Sequence, residues 1–244
     1  MIEEKNKCEY CGAPYTHMYV AFLGKDIHSP SCDCLTKLEK EFRDRQRQQR
    51  IQVQRNLAHI PTGFRGATLQ NFSERIGTEN AHQSCLNYTK KYPQMYRDGT
   101  GLIMIGSKGS GKTHLASGIA NAVLDMGYSV RFWDTARLCT AFWPRNVSQE
   151  TAADIVDDCM DCGLLILDDL GAEGVTDASK ANLRTIINVR HENLMPTIIT
   201  TNLNRQKLEA RLDERVIDRL FAKNNPHFIQ LTVKADSYRG RSRA

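Results

Sequence analysis

The sequence predicts an α/β protein whose main domain is built on a parallel sheet, preceded by a small cysteine-rich segment and a connecting helix. Three observations point there. From residue 101 onward short apolar runs alternate with helical patterns, and a glycine-rich turn joins the first run to a helix. Four of the eight cysteines fall within the first 34 residues.

In chain order, residues 1–35 hold Cys8, Cys11, Cys32 and Cys34 among the turn residues Gly12, Pro14, Gly24 and Pro30. Residues 36–59 form a basic connecting helix, because 36–57 contain no Gly or Pro and many strong helix formers. Leu35, Leu38 and Phe42 start an apolar stripe at helical spacing, and Ile51, Val53 and Leu57 lie further on. Between them Arg43 to Arg50 is polar all round, the pattern of a solvated helix. At Ile60-Pro61 the composition turns globular, so residues 60–244 make the main domain. There Gly101–Gly106 reads as a strand, Lys112–Met126 as a helix ended by Gly127, and Tyr128–Trp133 as a second strand. Leu138–Trp143 and Glu150–Met160 read as helical, Leu164–Leu167 as a third strand and Ser179–Glu192 as a helix. Thr197–Thr201 is a fourth strand, short helices run from Arg205 to Phe221, and His227–Val233 is the last strand. Strands alternating with helices imply a parallel sheet covered on both faces.

The chain has 244 residues, 41% hydrophobic and 25% charged, which is ordinary for a globular protein of one full domain with a small appendage. No apolar run approaches the ~20 residues of a membrane span. The N-terminus is charged and lacks the apolar core of a secretory signal, so the expectation is a cytoplasmic protein with reduced thiols and no membrane partner. A net charge of +5 hides an acidic stretch, residues 151–177, with eight Asp/Glu and no Lys/Arg. The basic residues gather in the connecting helix and after Arg205, a distribution compatible with nucleic acid or an acidic partner.

Gly106-Ser107-Lys108-Gly109-Ser110-Gly111-Lys112-Thr113 fits G-x-x-x-x-G-K-[ST] at every position, after an apolar strand and before a helix. Glycines let backbone N–H groups curl around phosphate, the helix N-terminus adds partial positive charge, and Lys112 reaches the β/γ oxygens. Thr113 offers a hydroxyl to Mg²⁺. About 55 residues on, the apolar strand 164–167 delivers Asp168 and Asp169, the Walker B pattern. Asp168 is placed to hold Mg²⁺ and Asp169 to polarise an attacking water. Asn202, after the fourth strand, is either a turn or helix cap before Leu203 or a contact to the γ-phosphate. The second role needs its strand to lie between those bearing the two phosphate-site motifs. Cys8-x₂-Cys11, a twenty-residue gap and Cys32-x-Cys34 supply four thiolates for one tetrahedral Zn²⁺, with His28 or His17 able to replace one. Cys159-x₂-Cys162 has no second Cys/His pair nearby and reads as core packing, as do Phe132, Trp133, Phe142 and Trp143.

These residues carry a family resemblance. From Ile60 onward, roughly three quarters of the chain, the sequence resembles the AAA+ ATPases of the DnaC/DnaI/IstB group. The shared motifs are Ile60-Pro-Thr-Gly-Phe-Arg65, the loop from Gly106 through Thr113-His114-Leu-Ala116, and Leu167-Asp-Asp-Leu-Gly-Ala-Glu173. Thr200-Thr-Asn-Leu203, Arg215-Val-Ile-Asp-Arg-Leu220 and Ser237-Tyr-Arg239 complete them. Many related ATPases carry Glu where this chain has Asp169. The resemblance implies a strand order 5-1-4-3-2 and ATP with Mg²⁺ in the site, His114 included. It implies Asn202 as the sensor-1 residue, Arg219 (Arg215 being the alternative) as the arginine finger that reaches a neighbour's γ-phosphate, and Arg239 as the sensor-2 arginine. It further implies a loader that binds the replicative DNA helicase through a zinc-binding N-terminal domain, engages single-stranded DNA and self-associates through shared ATP sites. The alternatives are an IstB-like transposition helper and a nucleotide-gated adaptor with little hydrolysis.

Overall fold

A computed structural model of the protein describes residues 7–20, 25–142, 151–171, 176–221 and 227–235. Two compact units separate at Arg50, residues 1–50 and 51–244.

In the first unit, β1 (Tyr15–Val20) and β2 (Lys25–Pro30) pair antiparallel, from Tyr15 opposite Pro30 to Val20 opposite Lys25. The sequence reading named turn residues here but no strands. Tyr15-Thr-His-Met-Tyr-Val is strand-prone, whereas Lys25-Asp-Ile-His-Ser-Pro is not, and only its pairing with the first makes it a strand. Helix α1 (Cys34–Leu57) starts at the last cysteine of the cluster and follows the Gly- and Pro-free stretch. Its residues 36–50 are exposed throughout, and the apolar stripe is no exception, Phe42 being 62% exposed.

In the second unit five strands form one parallel sheet: β3 (Gly101–Gly106), β4 (Val130–Asp134), β5 (Leu164–Asp168), β6 (Thr197–Thr201) and β7 (Phe228–Val233). Their order is β4-β5-β6-β3-β7, and every neighbour is parallel. Counted within this sheet alone, that is the expected 5-1-4-3-2. Successive side chains point to opposite faces, and both faces are covered. Leu102, Met104, Leu164 and Ile166 pack under α2 (Glu79–Lys90), α3 (Tyr92–Asp98) and α4 (Lys112–Asp125). Ile103, Leu165, Leu167 and Ile199 pack under α5 (Thr135–Ala141), α6 (Ala152–Asp161), α7 (Asp177–Glu192), α8 (Arg205–Glu209) and α9 (Glu214–Phe221).

The expected helices and strands are present, with shifted ends where caps act. Helix α5 starts at Thr135, three residues earlier than expected, because the Asp134 carboxylate accepts from Arg137 N–H at 3.0 Å. Thr151 and Asp154 close a reciprocal capping box at the start of α6. Trp143 and Glu150 lie outside the described residues. Helices α2 and α3 were absent from the sequence reading. The buried face of α2 is Ala81, His82, Cys85, Tyr88 and Thr89, helically spaced but without one aliphatic residue larger than Ala, so the apolar period is hidden. Among the described residues, no helix is long and apolar enough to cross a membrane.

Cys159 and Cys162 are buried core thiols, as expected, and burial pushes the Cys159 thiol up to about 12. They adjoin Arg190 on α7, whose side chain is 0% exposed. Its Nη1 donates to the carbonyl oxygens of Cys159 (3.0 Å), Met160 (3.1 Å) and Cys162 (2.8 Å). Nη2 donates to Pro196 O at 2.6 Å and Nε to Thr197 Oγ1 at 3.1 Å. The carbonyls at the C-terminal end of α6 carry partial negative charge, so a buried cation is held there by dipoles. One side chain thereby joins α6, α7 and the edges of β5 and β6. Arg190→Met is expected to leave these carbonyls without a donor and to cost roughly 3–5 kcal/mol in urea unfolding. Arg190→Lys should recover only part of the loss, since one ammonium cannot span the same acceptors.

Candidate functional site

Strand β3 ends at Gly106 and α4 begins at Lys112, so the loop 106–111 sits at the carboxyl edge of the sheet, where parallel α/β folds bind ligands. Two glycines are required by space. A Cβ on Gly106 would lie 2.3 Å from Val233 O, and one on Gly111, at φ +102°, would lie 2.8 Å from the Phe72 ring. Lys112 is 4% exposed, and its Nζ donates to Gly106 O (2.9 Å), Ser107 O (3.0 Å) and Asn202 Oδ1 (2.7 Å). Burial lowers the pKa of this ammonium, and the nearby Asp169 and Asp168 oppose that shift. Ser107 Oγ donates to Ala235 O at 2.9 Å, Ser110 is buried, and Lys108 is exposed on the cavity wall.

The two acids arrive on the second strand from β3. Asp168, 6% exposed, accepts from Thr113 Oγ1 at 3.0 Å and from Thr200 Oγ1 at 2.6 Å. Burial pushes its carboxyl up to about 6, while the Thr200 hydroxyl pulls the other way and the Asp169 charge adds to the rise. Asp169 has φ +55°, in the left-handed region that few residues with side chains adopt. Strand β6 lies between β3 and β5, the condition under which Asn202 faces both motifs. Asn202 Nδ2 donates to Asp169 Oδ1 at 3.0 Å while its Oδ1 accepts from Lys112. One amide thus bridges the loop lysine to the second acid.

A cavity of about 600 Å³, the size class of small-ligand sites, opens beside these groups. Phe64, Phe72, Arg75, Lys112, Asp169 and Asn202 are among the residues that line it. Its outer wall comes from the segment between Ile60 and α2, which sequence reading left without a site residue. Arg75 Nη2 donates to Ser110 O (2.9 Å) and Gly109 O (3.3 Å), turning those carbonyls outward. His114 Nε2 bonds Thr68 O (3.1 Å) and Asn71 Oδ1 (3.0 Å), so it anchors that wall to α4. Phe64, in the Ile60–Arg65 motif, was the available signal; Phe72 and Arg75 belong to no spaced pattern.

Arg219 and Arg215 are not among the residues that line this cavity. Arg219 on α9 pairs with Glu192 Oε1 at 3.0 Å and donates to Asn188 O at 3.4 Å, both on α7. Arg215, on the same helix, is exposed. Arg239 lies outside the described residues.

In the first unit the ligand atoms of Cys8, Cys11, Cys32 and Cys34 all lie within 4.8 Å of one another, and all four thiols are free. Backbone N–H groups of Tyr10 and Cys11 lower the Cys8 thiol to about 7. The neighbouring sulfurs, Cys11 first, push Cys34 up to about 12. Four thiolates this close cannot all carry charge without a cation among them. Four soft donors gathered this closely fit Zn²⁺, whose ~2.3 Å bonds to sulfur place such atoms about 3.8 Å apart in a tetrahedron. His17 and His28 are opposite one another in the hairpin register.

Known proteins match this arrangement. The family model described as IstB-like ATP binding protein matches residues 24–244. The replicative helicase loader DnaC of Escherichia coli K12 is 27% identical over 194 residues, covering 72% of this chain and 78% of that protein. The crystal structure of the DnaC helicase loader superposes with a TM-score of 0.61 at 26% identity, covering 71% of this chain and 100% of that one. A DnaI crystal structure shares the fold, with a TM-score of 0.59 at 22% identity, covering 75% of this chain and 98% of that one. The second unit accordingly has the AAA+ fold.

Lys112→Ala removes the one buried cation that faces both acids among the described residues of the cavity. ATP affinity measured by calorimetry is expected to fall roughly 10–100-fold, as loss of a charge-assisted hydrogen bond would produce. An affinity equal to that of the unaltered chain would show that phosphate does not bind at this loop.

Proposed function

This chain belongs to the IstB-like ATP-binding protein family, and from that premise we propose that it is an ATP-dependent loader that places the replicative DNA helicase on single-stranded DNA. The observation that carries the reading is the Lys112–Asn202–Asp169 bridge beside Thr113 and Asp168, in a chain whose relatives are named replicative helicase loaders.

In this reading residues 106–114 cradle the phosphates of ATP, with Lys112 on the β/γ oxygens. Thr113 and Asp168 hold Mg²⁺, which supplies charge neutralisation at those oxygens. Asp169 accepts the proton of the attacking water. A γ-phosphate oxygen competes with Asn202 Oδ1 for Lys112, so binding of ATP and release of the Asn202 amide are linked. Arg219 is supplied in trans to a neighbouring chain's ATP, which ties hydrolysis to self-association. For that role it must exchange Glu192 for phosphate, and Arg239, as the sensor-2 arginine, is assigned to the nucleotide in this chain's own site. ATP binding favours the assembled, loading-competent form, and hydrolysis releases it.

Residues 1–35 are assigned as a zinc-binding domain that docks on the helicase, 36–59 as the basic connecting helix and 60–244 as the ATPase. The cluster of four free cysteines supports the metal assignment. A nucleotide-gated adaptor with little hydrolysis is the second reading, favoured by the bond that occupies Asp169 Oδ1 and by the shortness of Asp relative to Glu.

The direct trial is a pull-down of the host's replicative helicase with ATP, ADP or a non-hydrolysable analogue, with and without single-stranded DNA. A complex that strengthens with ATP is expected; no complex under any condition overturns the loader reading. Asp169→Asn should keep ATP binding and lower turnover by 10²–10⁴-fold, the usual worth of a general base. Equal turnover in the variant and the unaltered chain would instead favour the adaptor. Protein purified without added zinc is expected to carry about one equivalent per chain, lost in a Cys8→Ser/Cys11→Ser variant.

A further inference from the structure

Strand β6 ends in Thr200 and Thr201 and is followed by Asn202, and each of the three bonds the turn that carries the two acids. We propose that Thr200, to which the Thr200–Leu203 motif assigns no role of its own, is a positioning residue that sets Asp168 and Asp169 relative to one another for hydrolysis. The inference rests on the ATPase reading above.

Thr200 is 0% exposed, and its hydroxyl is used in both directions. It donates to Asp168 Oδ1 at 2.6 Å and accepts from the Asp169 N–H at 3.0 Å. The same oxygen therefore touches the side chain of one acid and the backbone of the next. Its main chain continues the clamp, because Leu170 N–H donates to Thr200 O at 2.8 Å. Thr201 Oγ1 then donates to Leu170 O at 2.8 Å, and Thr135 Oγ1 donates to Asp168 O at 2.9 Å.

What these bonds hold is a conformation that is unfavourable on its own. Asp169 at φ +55° leaves the extended path of β5 in one residue, and such a residue persists only where its surroundings over-determine it. The φ value decides which way the Asp169 carboxylate leaves the strand end. The bond to Asp168 Oδ1 decides how the neighbouring carboxylate is rotated and leaves Oδ2 towards Thr113. A hydroxyl is needed for this, since a donor alone would not take the Asp169 N–H and an acceptor alone would repel Asp168. Serine keeps both capacities; valine keeps the shape and neither.

The test compares Thr200→Val and Thr200→Ser with the unaltered chain by ATP turnover and its Mg²⁺ dependence. ATP affinity in Mg²⁺ and in EDTA, and thermal melting, are measured alongside. Thr200→Val is expected to lower kcat by roughly 10–100-fold, the usual effect of losing an outer-shell partner, with a several-fold higher Mg²⁺ requirement. Its ATP affinity in EDTA should equal that of the unaltered chain, and Thr200→Ser should return kcat to within about threefold. If Thr200→Val does not fold, Thr200→Cys, close in size with only a weak donor, takes its place under the same criteria. The proposal is overturned if the folded variant keeps its kcat and Mg²⁺ dependence. It is overturned equally if ATP affinity in EDTA falls in step with melting temperature, the mark of a merely structural role. Should the unaltered chain show no turnover, the hydrolysis reading falls by itself. Thr200 is then judged on the ratio of ATP affinities in Mg²⁺ and EDTA: a smaller ratio in Thr200→Val supports it, and an unchanged one overturns it.

Discussion

A lysine ammonium held at the edge of a parallel sheet, almost out of water, has to be met by oxygen atoms, and in this protein that requirement organises the second unit. Lys112 finds two of its three partners in its own loop, which therefore must curl back on itself. The curl demands glycine at Gly111 and permits nothing larger at Gly106, where β7 passes. The third partner, Asn202, comes from another strand. It is within reach only because β6 is inserted between β3 and β5, so the strand order and the lysine's third hydrogen bond are one constraint.

Charge compensation then spreads outward. The charges of Asp169 and Asp168 favour the protonated ammonium, while burial works against the charge on Lys112 and on Asp168. The protein meets the cost with hydroxyls and a side-chain amide rather than further ions: Thr113, Thr200 and Asn202. Arg75 acts from the cavity's outer wall, where it holds the carbonyls of Gly109 and Ser110. A related device, an arginine that gathers several backbone carbonyl oxygens, recurs at Arg190 on the opposite edge of the sheet.

Most of this architecture was readable in the residues, for identifiable reasons. The loop, the acids after β5 and the thiol cluster were legible because each is a short-range pattern: the spacing along the chain is itself the geometry. The sheet was legible because its interior strands β3 and β5 are unbroken apolar runs up to the site residues. Helix α2 was not, since its buried face is made of His, Cys, Tyr and Thr. Thr200 and Arg75 were not legible either, because each acts on residues about 30 positions away and is ordinary in its own neighbourhood. The β2 strand falls in the same class, defined by its partner rather than its composition. The thiol cluster adds a related lesson. Its spacing pointed to one metal, and the mutual distances of the sulfurs test that in a way spacing cannot.

Under the loader reading, the ion pairs also bear on how nucleotide and assembly are linked. Lys112 is satisfied by Asn202, and Arg219 by Glu192 with the Asn188 carbonyl, so neither charge stands without an acceptor in its own chain. A phosphate that recruits either of them must therefore displace a hydrogen bond already made. The net gain is the difference between two charge-assisted bonds, which is smaller than either. For Lys112 the released group is the amide bonded to Asp169, so the exchange changes the surroundings of the proposed base. For Arg219 the released group is Glu192, at the C-terminal end of α7, where a negative charge opposes the helix dipole and gains least from staying. Glu192 is the exposed end of this pair and Arg219 the half-buried one, so the carboxylate is the partner that water can take over. In the proposed role of finger, Arg219 exchanges this carboxylate for a neighbour's γ-phosphate, the stronger acceptor, once a second copy brings it within reach.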